Sequence, residues 1–74
     1  MVNRKLKIIG IQIKAERLKN NLSQEDLAEI TNISIPTISL IETGKQNTSI
    51  LNIIEIAKAL KCDINVLIQG VYKV

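Results

Sequence analysis

Residues 22–44 read LSQEDLAEITNISIPTISLIETG, and this stretch decides the fold. Ser23 followed by Asp26 is the pattern of a helix capping box, in which each side chain bonds the backbone amide of the other residue. Asn32 tolerates the left-handed backbone of a tight turn, and Ser34 can cap a further helix. The stretch therefore predicts two short helices joined by a tight turn around Asn32.

The second helix of this pair has clear limits. Pro36 is acceptable in the first turn, where its missing amide hydrogen is not needed, and Gly44 is a usual residue just beyond a helix end. Ile38 and Ile41 are spaced to face a core, and the small Ala28 allows the two helices to cross closely. One face of the second helix is then free, and such a helix can enter the DNA major groove, which is about 12 Å wide.

The flanking sequence predicts three more helices. A helical pattern of apolar residues runs from about Leu6 to Asn20, Ser49 can cap a fourth helix, and Asp63 can cap a short fifth helix that ends at Gly70. Five residues of the fourth helix are spaced to point inward: Ile50, Ile53, Ile56, Ala57 and Leu60. Since the apolar residues recur at intervals of three and four, helices are favoured over strands. The sequence predicts an all-α protein, a compact five-helix bundle that forms one domain over residues 1–74.

Motifs through most of the chain resemble one known family. They are Leu22-Ser23-Gln24-Glu25-Asp26-Leu27-Ala28, Asn32-Ile33-Ser34, Ile38-Ser39, Ile41-Glu42 and Gly44, with Ile9-Gly10, Ile13-Lys14 and Arg17 before them and Ile53, Ile56-Ala57 and Ala59-Leu60 after them. In these residues the chain is similar to the phage repressor and Cro-type (Xre-like) helix-turn-helix family, which includes the controller proteins of restriction-modification systems. The resemblance covers residues 8–70 and implies a lambda-repressor-like fold that binds DNA and regulates transcription.

Arg17 and Glu42 are a pair that the resemblance implies. Arg17 lies one turn after Ile13 on the apolar face, and an inward arginine needs a partner because an unpaired buried charge is costly. The family pairs an arginine at this place with the glutamate that ends the recognition helix. Gln24 resembles the family glutamine that begins the second helix and holds a DNA phosphate there. The alternatives are a solvated Gln24 and a direct phosphate contact by Arg17.

The predicted recognition helix departs from many of its relatives. The positions that could face the groove are Ser34, Ile35, Pro36, Thr37, Ser39 and Leu40. Relatives often place glutamine, arginine, lysine or asparagine here, whereas Ile35, Pro36 and Leu40 cannot make the bidentate hydrogen bonds that identify guanine or adenine. They can pack on thymine methyl groups. The face predicts either an AT-rich DNA site, read through methyl contacts and deformability, or a surface that binds protein.

Polar and basic residues on both sides of this helix are candidates for contacts with the DNA backbone. Lys45, Gln46 and Asn47 follow the helix in the loop with which relatives grip phosphates; a merely solvated loop is the alternative. Residues 1–7 hold three further cations: Arg4, Lys5 and Lys7. This segment predicts a flexible basic arm, with a frayed and solvated terminus as the alternative.

The C-terminal part holds more apolar residues than one small core can cover. The residues predicted to form a dimer interface are Leu51, Ile54, Ile64, Val66, Leu67 and Val71. In the family the fifth helix is the usual dimer contact, which here assigns dimerisation to residues 63–74. A twofold homodimer fits a palindromic operator whose half-sites lie about 10 base pairs apart, or a multiple of that. The alternative is that some of these residues are singly exposed, as is common on monomers.

The composition argues against several classes of function. One cysteine and no histidine among 74 residues exclude a disulfide within the chain and a conventional zinc site, and leave no histidine for acid–base catalysis. We therefore expect no enzyme activity, no metal and no cofactor. The one aromatic residue, Tyr72, cannot provide the stacking platform that single-stranded nucleic acids require. The net charge of +3 is compatible with a polyanionic partner.

The leading hypothesis is a cytoplasmic regulator that binds double-stranded DNA as a homodimer, with no membrane segment and no small-molecule ligand. Repression would follow from blocking RNA polymerase, and activation would need a surface that contacts the polymerase. Control would come through protein concentration. The alternative is a protein-binding module, such as the antitoxin half of a toxin-antitoxin pair, which the apolar recognition face would also fit.

Overall fold

Five helices follow one another in the computed structural model, which describes residues 3–72. They are α1 (Arg4–Lys19), α2 (Gln24–Thr31), α3 (Ile35–Glu42), α4 (Ile50–Ala59) and α5 (Ile64–Tyr72). These described residues contain no strand, and the all-α prediction is confirmed. None of the five helices is long and apolar enough to cross a bilayer. Residues 1, 2, 73 and 74, which belong to the predicted arm and dimerisation region, lie outside the described residues.

Local hydrogen bonds set the limits of the middle helices. Ser23 Oγ accepts a bond of 2.9 Å from the Asp26 amide, and Asp26 Oδ2 accepts one of 2.9 Å from the Ser23 amide. Asn32 ends α2 in the left-handed region, with φ 59° and ψ 28°. Ser34 caps α3 and Ser49 caps α4, because each hydroxyl oxygen accepts a hydrogen bond from the backbone amide three residues later. The caps and the turn between α2 and α3 are as predicted.

The start of α1 differs from its prediction. Asn3 Oδ1 accepts hydrogen bonds from the amides of Lys5, at 2.9 Å, and Leu6, at 3.3 Å. This cap starts the helix at Arg4, so that Arg4, Lys5 and Lys7 belong to α1. The prediction of a flexible basic arm was therefore wrong for these residues, because the capping asparagine extends the helix toward the N-terminus.

The core lies where the five helices meet. Its largest fully buried side chains are Ile13, Leu27, Ile38, Ile56, Leu60 and Leu67. Leu67 was predicted to lie in a dimer interface, and this prediction was wrong. The side chain is buried within the monomer because α5 packs against α1, where Gln12 Nε2 also donates a bond of 3.0 Å to the Val66 carbonyl. α5 continues two residues beyond Gly70, its predicted end.

The first two turns of α4 expose apolar side chains. Ile50, predicted to point inward, is 61% exposed, Leu51 is 70% exposed and Ile54 is 40% exposed. The buried face of α4 is centred on Ile53 and Ile56, and Ile50 lies at the edge of that face, beside Ile54. We call Ile50, Leu51 and Ile54 the α4 apolar patch.

The backbone of α1 packs directly against the backbone at the end of α3. A Cβ atom on Gly10 would lie 2.5 Å from the carbonyl oxygens of both Ile41 and Glu42, closer than atoms can pack. Beyond the end of α3, Gly44 has φ 72°, and a Cβ there would lie 2.7 Å from the Cα of Lys7. Two glycines thus allow α1 to hold the C-terminal end of α3, which fixes the direction of that helix.

Candidate nucleic-acid interface

One side of α3 anchors the helix while the opposite side faces solvent. Ile38 and Ile41 are buried in the core, whereas Ile35 is 43% exposed and Leu40 is 39% exposed. Pro36 is also exposed. Because successive residues of a helix turn by about 100°, Pro36 and Leu40 lie on the side opposite Ile38 and Ile41, and Ile35 lies at the edge of that side in the first turn. The structure therefore brings together the three apolar residues that were predicted to face a groove.

A buried ion pair fastens the end of α3 to α1. Arg17 Nε lies 2.7 Å from Glu42 Oε2, and Arg17 Nη2 lies 3.1 Å from Glu42 Oε1. The same guanidinium donates through Nη1 to the Leu22 carbonyl at 2.8 Å. Two parallel bonds from one planar guanidinium fix the carboxylate in orientation as well as in position. Arg17 is buried and directed at Glu42, so the pair accounts for an arginine in an apolar stripe.

Gln24 takes part in the same cluster, which the sequence did not indicate. Its Nε2 donates a bond of 3.1 Å to Glu42 Oε1, so the carboxylate binds side chains from both α1 and α2. A primary amide carries two N–H groups, and this bond uses one of them. The predicted phosphate contact of Gln24 would therefore rely on the second N–H, together with the backbone amides at the start of α2.

Most hydroxyl groups near the outward face are engaged within the protein. Ser34 Oγ donates to Thr37 Oγ1 at 2.7 Å and also accepts from the Thr37 amide at 3.3 Å. Thr43 Oγ1 donates to the backbone carbonyl of Ser39 at 2.9 Å. Within residues 3–72, the half-buried Ser39 hydroxyl forms no side-chain hydrogen bond. The Ser39 hydroxyl is therefore free to bond a base or a phosphate, and Thr37 Oγ1, which accepts from Ser34, keeps its own hydrogen to donate.

A groove with a basic rim runs between α1 and α3. Lys7 and Lys14 of α1 line it together with Lys45, and Ser39 and Thr43 line its α3 side. Lys45 is held there because its amide donates to the Leu40 carbonyl at 2.9 Å. Gln46 is half-buried and Asn47 exposed in the loop that follows. Lys14 was not among the residues predicted to contact the DNA backbone, although it lies seven residues, or two helical turns, after Lys7 and so on the same face of α1.

The N-terminus of α2 already carries acidic groups of the protein itself. The Ser23 amide donates to the Asp26 carboxylate, and this bond, with a further one involving the Ser23 side chain, lowers the pKa of Asp26 from its ordinary value. The first turn also contains the exposed Glu25. Two carboxylates partly offset the positive end of this helix dipole. Gln24 at this N-terminus also lines the groove between α1 and α3, where Lys7, Lys14 and Lys45 carry positive charge.

Apart from Leu67, which is buried in the core, the predicted dimer residues divide into two groups. Leu51 and Ile54 lie in the exposed α4 apolar patch. Ile64, Val66 and Val71 of α5 are half-buried. Among the residues predicted for the dimer interface, those on α4 therefore expose more apolar surface than those on α5.

Comparison with known proteins places this architecture in a family. The helix-turn-helix family matches residues 13–67, which include Ile13 and Arg17 of α1, all of α2 to α4 and the start of α5. Control protein C.SmaI of Serratia marcescens is 35% identical over 57 residues, which make up 77% of this chain and 68% of that protein.

Solved structures of restriction-modification controller proteins share the fold. C.AhdI from Aeromonas hydrophila is 29% identical with a TM-score of 0.85, over 88% of this chain and 98% of that one. C.Esp1396I, solved as a tetramer in complex with its natural 35 base-pair operator, is 31% identical with a TM-score of 0.82, over 96% of this chain and 93% of that one. The chain thus belongs to the helix-turn-helix family of DNA-binding transcription regulators.

Proposed function

We propose that this protein binds a palindromic operator in double-stranded DNA as a homodimer and regulates transcription there, as a restriction-modification controller does. The proposal rests on the way in which α3 is held in the fold. Its end is held by the Arg17–Glu42 pair and by the close approach of Gly10, while its opposite side is open to solvent. A short helix fixed in this way can enter a major groove without rearranging.

The charges around α3 support this placement. Lys7, Lys14 and Lys45 lie along the groove beside the helix, where the sugar-phosphate backbone would run if α3 occupied the major groove. Lysine–phosphate contacts provide much of the affinity of DNA-binding proteins through the release of counterions. Gln24 would add a contact through its second amide hydrogen, and Gln46 and Asn47 would add contacts from the loop after α3.

The α4 apolar patch supports a homodimer. Its three side chains are all at least 40% exposed, and they adjoin each other on one helix. Association of two copies about a twofold axis would cover both patches and would present two α3 helices to the two halves of a palindrome. Leu51 and Ile54 would form the centre of this contact, with Ile64, Val66 and Val71 at its edge. The tetramer of C.Esp1396I on its operator is a precedent for oligomeric binding in a relative.

The outward face of α3 favours an AT-rich operator. Ile35, Pro36 and Leu40 offer aliphatic surface instead of hydrogen-bonding groups, and thymine is the base that presents a methyl group in the major groove. Bound there, a homodimer would repress by excluding RNA polymerase from an overlapping promoter. Protein concentration would set operator occupancy through the dimerisation equilibrium.

Fluorescence anisotropy tests the proposal. A labelled duplex from upstream of the protein's own gene would be titrated beside a scrambled duplex of the same composition, over a series of salt concentrations. We expect a preference of about 10³-fold or more for the upstream duplex at physiological salt. Equal affinity for the two duplexes would contradict autoregulation through this DNA. Absence of binding to any DNA would favour a protein partner for the apolar face of α3.

A further inference from the structure

The outward face of α3 has a simple chemistry. Ile35, Pro36 and Leu40 provide only aliphatic groups, and within the described residues the hydroxyls of Ser34 and Thr43 donate inside the protein. No amide, carboxylate, guanidinium or ammonium group stands on this face between Ile35 and Leu40. The face therefore cannot distinguish the hydrogen-bonding edges of the four base pairs, apart from the bonds that the hydroxyls of Thr37 and Ser39 form with them.

The major groove offers one apolar feature that such a face can recognise. Thymine carries a methyl group on C5, while the other exposed groups of the base edges are hydrogen-bond donors and acceptors. Packing an aliphatic side chain on that methyl removes apolar surface from water, and the gain depends on the methyl group rather than on the rest of the base. Cytosine that is methylated on C5 presents the same group at the same place in the groove.

We infer that α3 recognises the C5-methyl groups of pyrimidines through Ile35, Pro36 and Leu40, so that 5-methylcytosine replaces thymine at the contacted positions. The inference rests on the proposed function and specifies what the same surface reads. Its consequence is an operator whose affinity rises when a contacted cytosine becomes methylated. Cytosine methylation would then act as a signal for occupancy, without any conformational change in the protein.

The test uses duplexes that differ by single methyl groups. The probe is a duplex selected on the protein from a random library, and each thymine of one half-site is replaced in turn by uracil, which lacks only the methyl. We expect about a fourfold loss of affinity at each contacted thymine, and about 15-fold when both half-sites are changed. At the same positions, a 5-methylcytosine–guanine pair should bind about fourfold more tightly than a cytosine–guanine pair.

Protein variants assign the effect to this face. Leu40→Ala and Ile35→Ala alter exposed side chains, so the fold should be retained. At the thymine that the lost side chain contacted, each variant should bind the thymine duplex and the uracil duplex equally well. Ile30→Ala is the matched control, because Ile30 is an exposed isoleucine on α2, before the turn that leads into α3. It should keep the full preference for thymine.

The outcomes separate this inference from the function on which it rests. If selection enriches no sequence, the proposed operator binding fails. If a sequence is enriched and binds equally well with thymine and with uracil throughout, operator binding stands and methyl recognition is overturned. Methyl recognition is also overturned if 5-methylcytosine and cytosine bind equally at positions where uracil weakens binding.

Discussion

The Gln24 side-chain amide donates a 3.1 Å hydrogen bond to Glu42 Oε1, which joins the first residue of α2 to the last residue of α3. The same carboxylate receives two bonds from Arg17 of α1. One buried anion therefore connects the three helices that position the outward face. Such a cluster leaves α3 little freedom to tilt, since a shift would break several charge-assisted bonds in a buried environment.

Removal of Arg17 should be strongly destabilising. Arg17→Ala leaves Glu42 as a buried carboxylate without its cation, and we expect the free energy of unfolding to fall by about 3–5 kcal/mol. A domain of this size has a total stability of about 4–11 kcal/mol, so the loss should be plain in urea unfolding followed by circular dichroism. Lys14→Ala, on the exposed side of the same helix, should change the stability by less than about 0.5 kcal/mol.

A double variant distinguishes a lost ion pair from lost packing. Arg17→Met combined with Glu42→Leu removes both charges and keeps apolar volume, so it should be more stable than either single alanine variant. If the double variant were less stable than both, desolvation of an unpaired charge would not explain the effect. An Arg17→Ala protein as stable as the native protein would show that the pair contributes nothing to folding.

Gly10→Ala tests the close contact between α1 and α3. Alanine is favoured over glycine within a helix by about 1 kcal/mol, but the added Cβ would meet two backbone oxygens at 2.5 Å. Because backbone cannot rotate away as a side chain can, the overpacking should prevail, with a net loss of about 2 kcal/mol. Thermal unfolding measures this loss. Ile11→Ala is the neighbouring control on the exposed side of α1, and a variant Gly10→Ala that unfolds above the native temperature would contradict the contact.

Lys45 and Lys14 should each contribute to DNA affinity and to its dependence on salt concentration. Lys45→Ala and Lys14→Ala should each weaken binding to all duplexes by a similar factor, since phosphates carry no sequence information. The slope of log K against log salt should become shallower by about 0.9 for each lysine–phosphate contact that is lost. Lys19→Ala, at the end of α1 outside the groove, should leave the slope unchanged. If Lys45→Ala had the same slope as the native protein, Lys45 would not contact a phosphate.

A charge in the α4 apolar patch should prevent dimerisation. Leu51→Glu places a carboxylate on a side chain that is 70% exposed in the monomer, so the fold should persist while a twofold contact would bury two like charges. Sedimentation velocity should then show monomers at concentrations at which the native protein is dimeric. Ile30→Glu, a similar exchange on α2, should remain dimeric. A Leu51→Glu dimer would move the interface away from α4.

Asp26 should contribute to stability in a pH-dependent way. Hydrogen bonds from Ser23 lower the pKa of the Asp26 carboxyl in the folded state. At a given pH near this pKa, the carboxyl is therefore protonated less often in the folded chain than in the unfolded chain. Its contribution is then present above about pH 4, the ordinary range of an aspartate, and is lost as the pH falls through the lowered pKa. The difference in melting temperature between the native protein and Asp26→Asn should therefore be present at pH 7 and shrink below pH 4. Glu29→Gln, which removes the same charge away from the cap, controls for net charge. A difference that stays constant down to pH 3 would contradict the role of the carboxylate.

The limits of α2 to α4 could be predicted because their signals are local. Ser23, Ser34 and Ser49 bond amides within their own first turn, and Asn32 adopts the left-handed turn within a few bonds of the chain. Intervals of three and four residues likewise identified Ile13 and much of the rest of the core. The outward face of α3 followed from the same period, because Ile38 and Ile41 define its buried side.

The contacts between helices could not be predicted in the same way. The sequence placed Leu67 at an interface and Ile50 in the core, whereas the packing of α5 on α1 buries the first and the edge position on α4 exposes the second. The bond between Gln24 and Glu42 joins residues 18 positions apart, and the groove of Lys7, Lys14 and Lys45 depends on how α1 crosses α3.

The amino-acid sequence by itself therefore determined the helices, the turn and the apolar character of the recognition face, because each depends on bonds and periodicities within one element. Only the tertiary structure decided which apolar residues remain exposed for a partner and which charges share the groove beside α3. Those properties depend on the crossing angles and distances of packed helices, and at Gly10 the distance is short enough that a single Cβ would change it.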